Sequence, residues 1–214
     1  LQAKLITEAL VATDDQQVVD ALKPYGTPVM LTRADHPTGT DRIAEVAESR
    51  TAAIIVNVQG DEPLIDPGTI DRAITPLLER PDVVMATAKH LIENPDDAAD
   101  PNMVKVVCDA SGLALYFSRA CIPHIRDAAD RAEAPPCYWQ HIGLYVYRRD
   151  FLLDYAKMPQ TPLEKLEKLE QLRVLENGYR IAVVETQYKS IGVDVLEDYI
   201  RIQRFFGDNP PGPA

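Results

Sequence analysis

The stretch with the clearest chemical potential is residues 55–63, which read IVNVQGDEP. An apolar run typical of a buried strand leads into a glycine turn that carries the carboxylates Asp61 and Glu62. Carboxylates that follow a central strand lie where open α/β sheets bind ligands. Mg²⁺ is held by few protein carboxylates together with substrate phosphates. The stretch is therefore a candidate magnesium site at Asp61. The alternative is a strand-ending turn in which Asp61 accepts hydrogen bonds from local amides.

Composition narrows the class of protein. The 214 residues carry a net charge of −11, and 46% of them are hydrophobic, as in soluble globular proteins. An acidic chain is not expected to bind nucleic acid. No apolar run approaches the roughly 20 residues that span a bilayer. The three cysteines have no C-x-x-C spacing, which favours reduced thiols over disulfides or a zinc site. We expect a cytoplasmic protein with neither a nucleic-acid nor a membrane partner.

Strands and helices alternate along the first hundred residues. Apolar runs predict strands over 10–12, 28–31, 53–58 and 83–88. Helical periodicity and capping residues predict helices over 16–22, 40–49 and 67–78. Because such alternation builds crossover units, it predicts an α/β fold with a mainly parallel sheet.

The pattern changes after residue 100. Three strand-like runs follow one another without intervening helices, at 104–108, 113–117 and 142–147. They predict an inserted antiparallel section over 101–147, with a polar loop over 127–136. A capping box at Thr161 then opens a helix with leucines at 163, 166, 169, 172 and 175. The sequence then predicts a strand over 181–185, a helix over 195–206 and a frayed tail over 209–214. We expect a single domain over 1–214.

Seven ordered segments resemble the 3-deoxy-manno-octulosonate (Kdo) cytidylyltransferase family, also called CMP-Kdo synthetases. They are TRADHPTGTDRIAEV at 32–46, VNVQGDEP at 56–63, PN through KVV at 101–107, ALYFSR at 114–119, HIGLY at 141–145, PLE through LEQLR at 162–173, and GVD through ED at 192–198. The resemblance implies a Rossmann-like nucleotidyltransferase sheet with helices on both faces. It also implies an enzyme that moves CMP from CTP to the anomeric hydroxyl of Kdo and releases pyrophosphate, for lipopolysaccharide synthesis.

The resemblance assigns roles to individual residues. Asp61 and Asp194 match the catalytic carboxylates that hold Mg²⁺, and Arg33, Gly39 and Thr40 match the cytosine-reading segment. The residues that match the sugar-acid pocket are Gln59, Arg119, His141, Tyr145, Glu170 and Gln171.

Each of these assignments has a structural alternative. Asp194 could cap the last helix, and Thr38 or Thr40 could cap the helix after Gly39. His141 could be an ordinary strand histidine and Arg119 a surface charge. Glu170 and Gln171 could lie on the solvated face of the leucine-striped helix.

The N-terminus departs from the family pattern. The family opens with a strand and a basic loop that wraps the CTP phosphates, and nothing in residues 1–9 matches it. The sequence starts at Leu1 rather than Met, so we expect this loop to precede the present numbering. A cytidylyltransferase for 8-amino-Kdo or sialic acid, and a non-catalytic nucleotide-binding domain, stay open as alternatives.

The resemblance also implies a homodimer. The runs 113–117 and 142–147 are rich in Tyr, Phe and Leu, and no helix follows directly to cover them. An uncovered apolar sheet face commonly marks an interface. We therefore expect dimerisation through the section 101–147.

Overall fold

The computed structural model describes residues 2–127, 137–187, 193 and 196–208. Its strands are β1 (Val11–Thr13), β2 (Val29–Leu31), β3 (Ile54–Val58), β4 (Val83–Leu91), β5 (Lys105–Cys108), β6 (Ala114–Ser118), β7 (Trp139–Arg148) and β8 (Arg180–Glu185). Its α-helices are α1 (Gln16–Leu22), α2 (Gly39–Glu48), α3 (Pro67–Glu79), α4 (Arg149–Tyr155), α5 (Pro162–Glu167), α6 (Gln171–Glu176) and α7 (Leu196–Asp208). The predicted loop over 127–136, beyond its first residue, and the predicted tail lie outside the described residues.

Strand β7 organises the main sheet. One edge of β7 pairs antiparallel with β4, and the other edge pairs antiparallel with β3 and, at Gln140, with β5. Strand β6 pairs with β5 at one end of the sheet, and β8 pairs parallel with β4 at the other. Strands β1 and β2 form a separate parallel pair.

The expectation of a mainly parallel sheet is wrong. Strands β3 and β4 point the same way because both are antiparallel to β7, but β7 lies between them. The section 101–147 is antiparallel, as expected, yet its last strand enters the centre of the sheet. Among the described strands only the β1–β2 and β4–β8 pairs are parallel.

Helices cover both faces of this sheet, as the resemblance implies. On one face, α3 packs Ala73, Ile74 and Leu77 against β4 and β7. On the other face, α2, α4 and α6 pack against Met85 and Tyr147. The pleat sends alternate side chains of each strand to opposite faces, which accounts for two separate cores.

Local capping rules account for the helix starts. The Asp15 side chain accepts a hydrogen bond from Gln17 N at the start of α1, and Asp66 caps α3, which has Pro67 at its first position. Thr161 and Glu164 form the expected capping box at α5. In contrast, the sequence prediction missed α4.

The leucine-striped helix is two helices, not one. It breaks at Lys168, whose φ of 56° is left-handed, and α6 begins at Gln171 in a new direction. As a result Leu166 is 80% exposed, whereas Leu169 and Leu172 enter the core. Spacing alone could not show the break, because the leucines continue at intervals of three residues across it.

The inner face of the inserted section is covered, contrary to expectation. Helix α6 comes later in the chain and packs Leu172 against the core that contains Phe117, and Tyr116 and Tyr145 lie partly buried beside it. The large apolar side chain that β6 leaves exposed is Leu115, at 62%. No helix among the described residues is long and apolar enough to cross a bilayer.

Candidate functional site

A cavity of about 380 Å³ opens where β3 ends beside the middle of β7. It is bordered by the start of α2, the end of β6 and the junction of α5 with α6. Nine of the residues singled out from the sequence line it: Gly39, Thr40, Gln59, Asp61, Arg119, His141, Tyr145, Glu170 and Gln171. Five separate sequence segments therefore converge on one site.

Asp61 stands at the mouth of the cavity. It is exposed, and its carboxylate makes no ion pair or hydrogen bond with another side chain or amide among the described residues. The turn is closed instead by main-chain bonds such as Glu62 N to Gln59 O at 3.1 Å. The alternative in which Asp61 binds local amides is therefore not what the structure shows.

Asp194, the second expected carboxylate, lies outside the described residues. Its neighbour in sequence, Val193, is described. The Val193 amide donates a hydrogen bond to the Asp61 carbonyl at 2.9 Å. The backbone just before Asp194 is thus bonded to the turn that carries Asp61, although 132 positions separate 61 from 193.

The nucleotide-segment residues divide into two groups. Gly39 and Thr40 open α2 at the cavity wall, and the helix is capped by Thr38, which accepts a hydrogen bond from Asp41 N. Arg33 is not part of the lining. Its side chain is exposed, and its Nε lies 3.6 Å from Glu45 Oε2. The structure therefore does not bring Arg33 to the other site residues.

Arg119 is oriented by two main-chain carbonyls. Its Nε donates to Glu167 O at 2.8 Å and its Nη1 to Pro101 O at 3.0 Å. Neither partner is charged, so the positive charge stays available to a ligand. A guanidinium presented in this way suits a carboxylate, whose two oxygens match paired donors.

His141 is buried and held by a strand irregularity. The register between β4 and β7 shifts between Thr87 and Ala88, where the Thr87 hydroxyl lies 2.7 Å from Leu144 O and 2.9 Å from His141 Nε2. The hydroxyl has one proton, and the shorter contact assigns it to the carbonyl, so His141 Nε2–H donates to Thr87. The neutral ring then offers Nδ1 as an acceptor.

Burial fixes the charge states around His141. Desolvation lowers the pKa of His141 to about 3, so the ring is neutral at neutral pH. Desolvation also raises the pKa of Tyr145 far above its ordinary value, an effect reinforced by Glu170 and Asp61. Tyr145 therefore stays a hydroxyl donor, 5.4 Å from the His141 ring between centroids.

Glu170 and Gln171 occupy the bend between α5 and α6. Burial raises the pKa of Glu170, while the Thr40 hydroxyl and Arg173 act in the opposite direction. Glu170 Oε2 and Gln171 Nε2 are buried without a hydrogen-bond partner in the described part of the chain. Unsatisfied buried polar atoms are costly, and at a cavity they indicate groups that a ligand completes.

Seven further residues line the cavity that the sequence prediction did not include among the site residues. Four are polar, Glu62, Asn102, Gln140 and Lys168, and the other three are Val104, Gly143 and Leu169. Glu62 and Asn102 lie within matched motifs and Gln140 directly precedes one, so these motifs could have indicated all three residues. Lys168 directly precedes the matched segment LEQLR, but its access to the cavity depends on the break between α5 and α6, which the motif does not reveal.

Named proteins from other organisms are similar in sequence to this chain over most of its length. A family model described as cytidylyltransferase matches residues 1–184. The 3-deoxy-manno-octulosonate cytidylyltransferase of Solibacter usitatus (strain Ellin6076) is 57% identical over 204 residues, which are 95% of this chain and 79% of that protein. The enzyme of the same name from Geobacter sulfurreducens (strain ATCC 51573 / DSM 12127 / PCA) is 54% identical over 208 residues, 94% of this chain and 83% of that protein.

The chain belongs to the 3-deoxy-manno-octulosonate cytidylyltransferase family.

Solved structures agree with this assignment. A CMP:2-keto-3-deoxy-manno-octonic acid synthetase complexed with CTP superposes with a TM-score of 0.90 at 37% identity, covering 97% of this chain and 84% of that one. A glucose-1-phosphate thymidylyltransferase from Bacillus anthracis, at 11% identity and a TM-score of 0.61, shares the fold over 92% of this chain and 74% of its own. The fold is thus that of the Rossmann-like nucleotidyltransferases.

Proposed function

We propose that this member of the family transfers CMP from CTP to the anomeric hydroxyl of Kdo. The anomeric oxygen forms a bond to the α-phosphorus, the bond from that phosphorus to the bridging oxygen breaks, and pyrophosphate leaves with that oxygen. The hydroxyl proton passes to solvent or to a basic group. The observation that carries the proposal is one cavity that joins the nucleotide-segment residues of α2 to Asp61, Arg119 and His141.

The chain's own residues bind and orient the two substrates. Arg119 faces the sugar carboxylate as a fixed cation, and His141 Nδ1 accepts from a sugar hydroxyl. The sugar site is completed by Tyr145, Gln59 and the buried polar atoms of Glu170 and Gln171. Gly39 and Thr40 approach the cytosine, and the absence of a side chain at Gly39 allows close contact with the base. Arg33 would take part only after leaving Glu45. Holding the attacking hydroxyl near the phosphorus contributes to catalysis by making the reaction effectively unimolecular.

A magnesium ion is part of the proposal. The Asp61 carboxylate is exposed just after a strand end, has no partner in the described part of the chain and has Glu62 beside it in sequence. Such a group fits an ion that keeps several waters and binds through one or two carboxylates. Within the described residues, no group of three or more His, Cys, Asp or Glu is placed to hold a metal by itself. Water and phosphate oxygens would supply the remaining ligands. Asp61 and Asp194 would hold the ion, which when bound neutralises charge on the phosphates.

We further propose a cytoplasmic homodimer that supplies lipopolysaccharide synthesis. CTP is a cytoplasmic metabolite, and Cys108, Cys121 and Cys137 are free, as in a reducing compartment. The dimer would use the section 101–147, in which β6 lies at one end of the strand order and Leu115 is exposed. Leu113, just before β6, forms a bridge to Ala182 in β8, so the edge available for pairing lies beyond that bridge. An edge of this kind favours pairing with another chain.

The proposed activity is tested by substrate competition. The full-length protein is incubated with CTP, Mg²⁺ and, in separate reactions, Kdo, 8-amino-Kdo and a sialic acid, and released pyrophosphate is measured. We expect the highest kcat/KM with Kdo. A higher kcat/KM with either other sugar would assign a different substrate, and no pyrophosphate with any of them would overturn the enzymatic proposal.

A further inference from the structure

A buried ion pair lies directly behind the cavity. The side chains of Glu164 in α5 and Arg173 in α6 are 3% and 4% exposed. Arg173 donates to both oxygens of Glu164, with Nε at 2.8 Å from Oε2, and its Nη1 donates to Met158 O at 3.2 Å. The pair thus ties α5 to α6 across the bend that carries Glu170 and Gln171.

The ion pair is linked to the cavity through one tyrosine. The Arg173 guanidinium lies over the Tyr155 ring, 4.5 Å from its centroid. The Tyr155 hydroxyl donates to the Glu170 carbonyl at 2.9 Å. An unbroken series of contacts therefore runs from Glu164 to the backbone of a cavity residue.

Stability alone does not explain this arrangement. A buried ion pair contributes little net stability compared with apolar side chains of the same size, because desolvation offsets the attraction between the charges. Its bidentate geometry nevertheless fixes two helices in one orientation. The bend that it fixes includes Lys168, which has a left-handed backbone conformation. This conformation is unfavourable for residues other than glycine, and it persists only where the surrounding structure enforces it.

We propose that Tyr155, Glu164 and Arg173 form a positioning clamp that sets the affinity of the enzyme for the acid sugar. The clamp holds the Glu170 carbonyl and, through it, the side chains of Glu170 and Gln171 that face the sugar. None of the three lines the cavity, so in this proposal they act through the geometry of the bend. The inference rests on the proposed function, because it takes the ligand of that bend to be Kdo.

The first test removes one hydroxyl. Tyr155→Phe keeps the ring under Arg173 but loses the hydrogen bond to Glu170 O. We expect the KM for Kdo to rise by about 2- to 10-fold, the range for one buried hydrogen bond, with the KM for CTP unchanged. Tyr179→Phe is the matched control, because Tyr179 packs edge-on against Phe151, away from the cavity lining. Equal changes in both KM values, or none, would overturn the clamp.

The second test separates positioning from stability. In the double variant Glu164→Leu with Arg173→Met, apolar side chains replace the ion pair, a change that commonly preserves the fold. We expect a variant that still unfolds cooperatively, with a melting temperature lowered by the loss of the capping contact between Glu164 and Thr161. Its KM for Kdo should be at least as high as in Tyr155→Phe. An unchanged KM for Kdo in this folded variant would contradict a positioning role.

Hydrogen exchange distinguishes failure of the clamp from failure of the proposed function. Amide exchange over residues 168–172 is compared in wild type, Tyr155→Phe and Tyr179→Phe without substrate, and we expect faster exchange only in Tyr155→Phe. A wild-type protein that does not turn over Kdo would overturn the proposed function, and exchange would then decide the clamp. Equal exchange in all three proteins would overturn the clamp.

Discussion

The buried histidine of the cavity makes the protein sensitive to mild acid, and the size of this effect follows from the structure. His141 is 7% exposed, and burial lowers its pKa to about 3. In the unfolded chain its pKa is about 6.5. Since the folded pKa lies below the unfolded one, the unfolded state takes up the proton first. The contribution of His141 to stability is therefore full above about pH 6.5 and is lost progressively as the pH falls toward 3.

The expected loss at pH 5.5 is about 1.4 kcal/mol, because one pH unit below the unfolded pKa corresponds to that free energy. This pH lies above the sequence pI of about 4.8, so the protein keeps a net negative charge. His141→Gln removes the titration while keeping an N–H that can donate to Thr87. The difference in unfolding free energy between wild type and His141→Gln should thus shrink by about 1.4 kcal/mol between pH 7.5 and pH 5.5.

Urea unfolding followed by circular dichroism, at constant ionic strength, measures this difference. Burial raises the pKa of Glu170, so its protonation favours the folded state as the pH falls, the opposite sign. This contribution occurs in both proteins and cancels in the comparison. His124→Gln, at an exposed histidine outside the cavity lining, is the matched control for replacing a histidine by glutamine. A wild-type to His141→Gln difference that is the same at both pH values would refute the reasoning.

Three further predictions concern catalysis, binding and assembly. Asp61→Asn should lower kcat by at least about 10²-fold, as expected for a lost electrostatic stabiliser, with an unchanged melting temperature; near-normal turnover would remove Asp61 from the metal site. Arg119→Ala should raise the KM for Kdo by at least about 10-fold, because a charge-assisted hydrogen bond is worth roughly 1.5–3 kcal/mol. The KM for CTP should stay constant, and equal effects on both KM values would contradict the role of Arg119 in binding the sugar carboxylate. Light scattering should give twice the 23.8 kDa of one chain, and Leu115→Glu should shift the protein toward monomer; a monomeric wild type would exclude the dimer.

Local rules let the sequence predict most of the elements. Side chains such as Asp15 and Thr161 cap helices through bonds within a few residues, so the helix starts could be located from the chain alone. Apolar runs located all eight strands to within a few residues at their ends. The motif around Asp61 was recognisable because its residue types are contiguous.

Tertiary structure decided where these elements meet. Strand β7 enters between β3 and β4, and its partners in this pairing are at least 48 positions away in sequence. Other tertiary contacts lie at the break of the leucine-striped helix at Lys168. There the Glu164–Arg173 pair and Tyr155 hold a bend that the periodicity of the leucines could not reveal.

The candidate site shows the same division. The sequence supplied the residue types, and nine of the eleven residues singled out line one cavity, since motifs at several strand and helix ends converge there. The sequence could not show that Arg33 pairs with Glu45 away from the cavity, or that Lys168 lines it. The direction in which a side chain points, its burial and its charge state depend on neighbouring residues that are distant in sequence. The sequence therefore determined which groups were available, and packing decided which of them face a ligand.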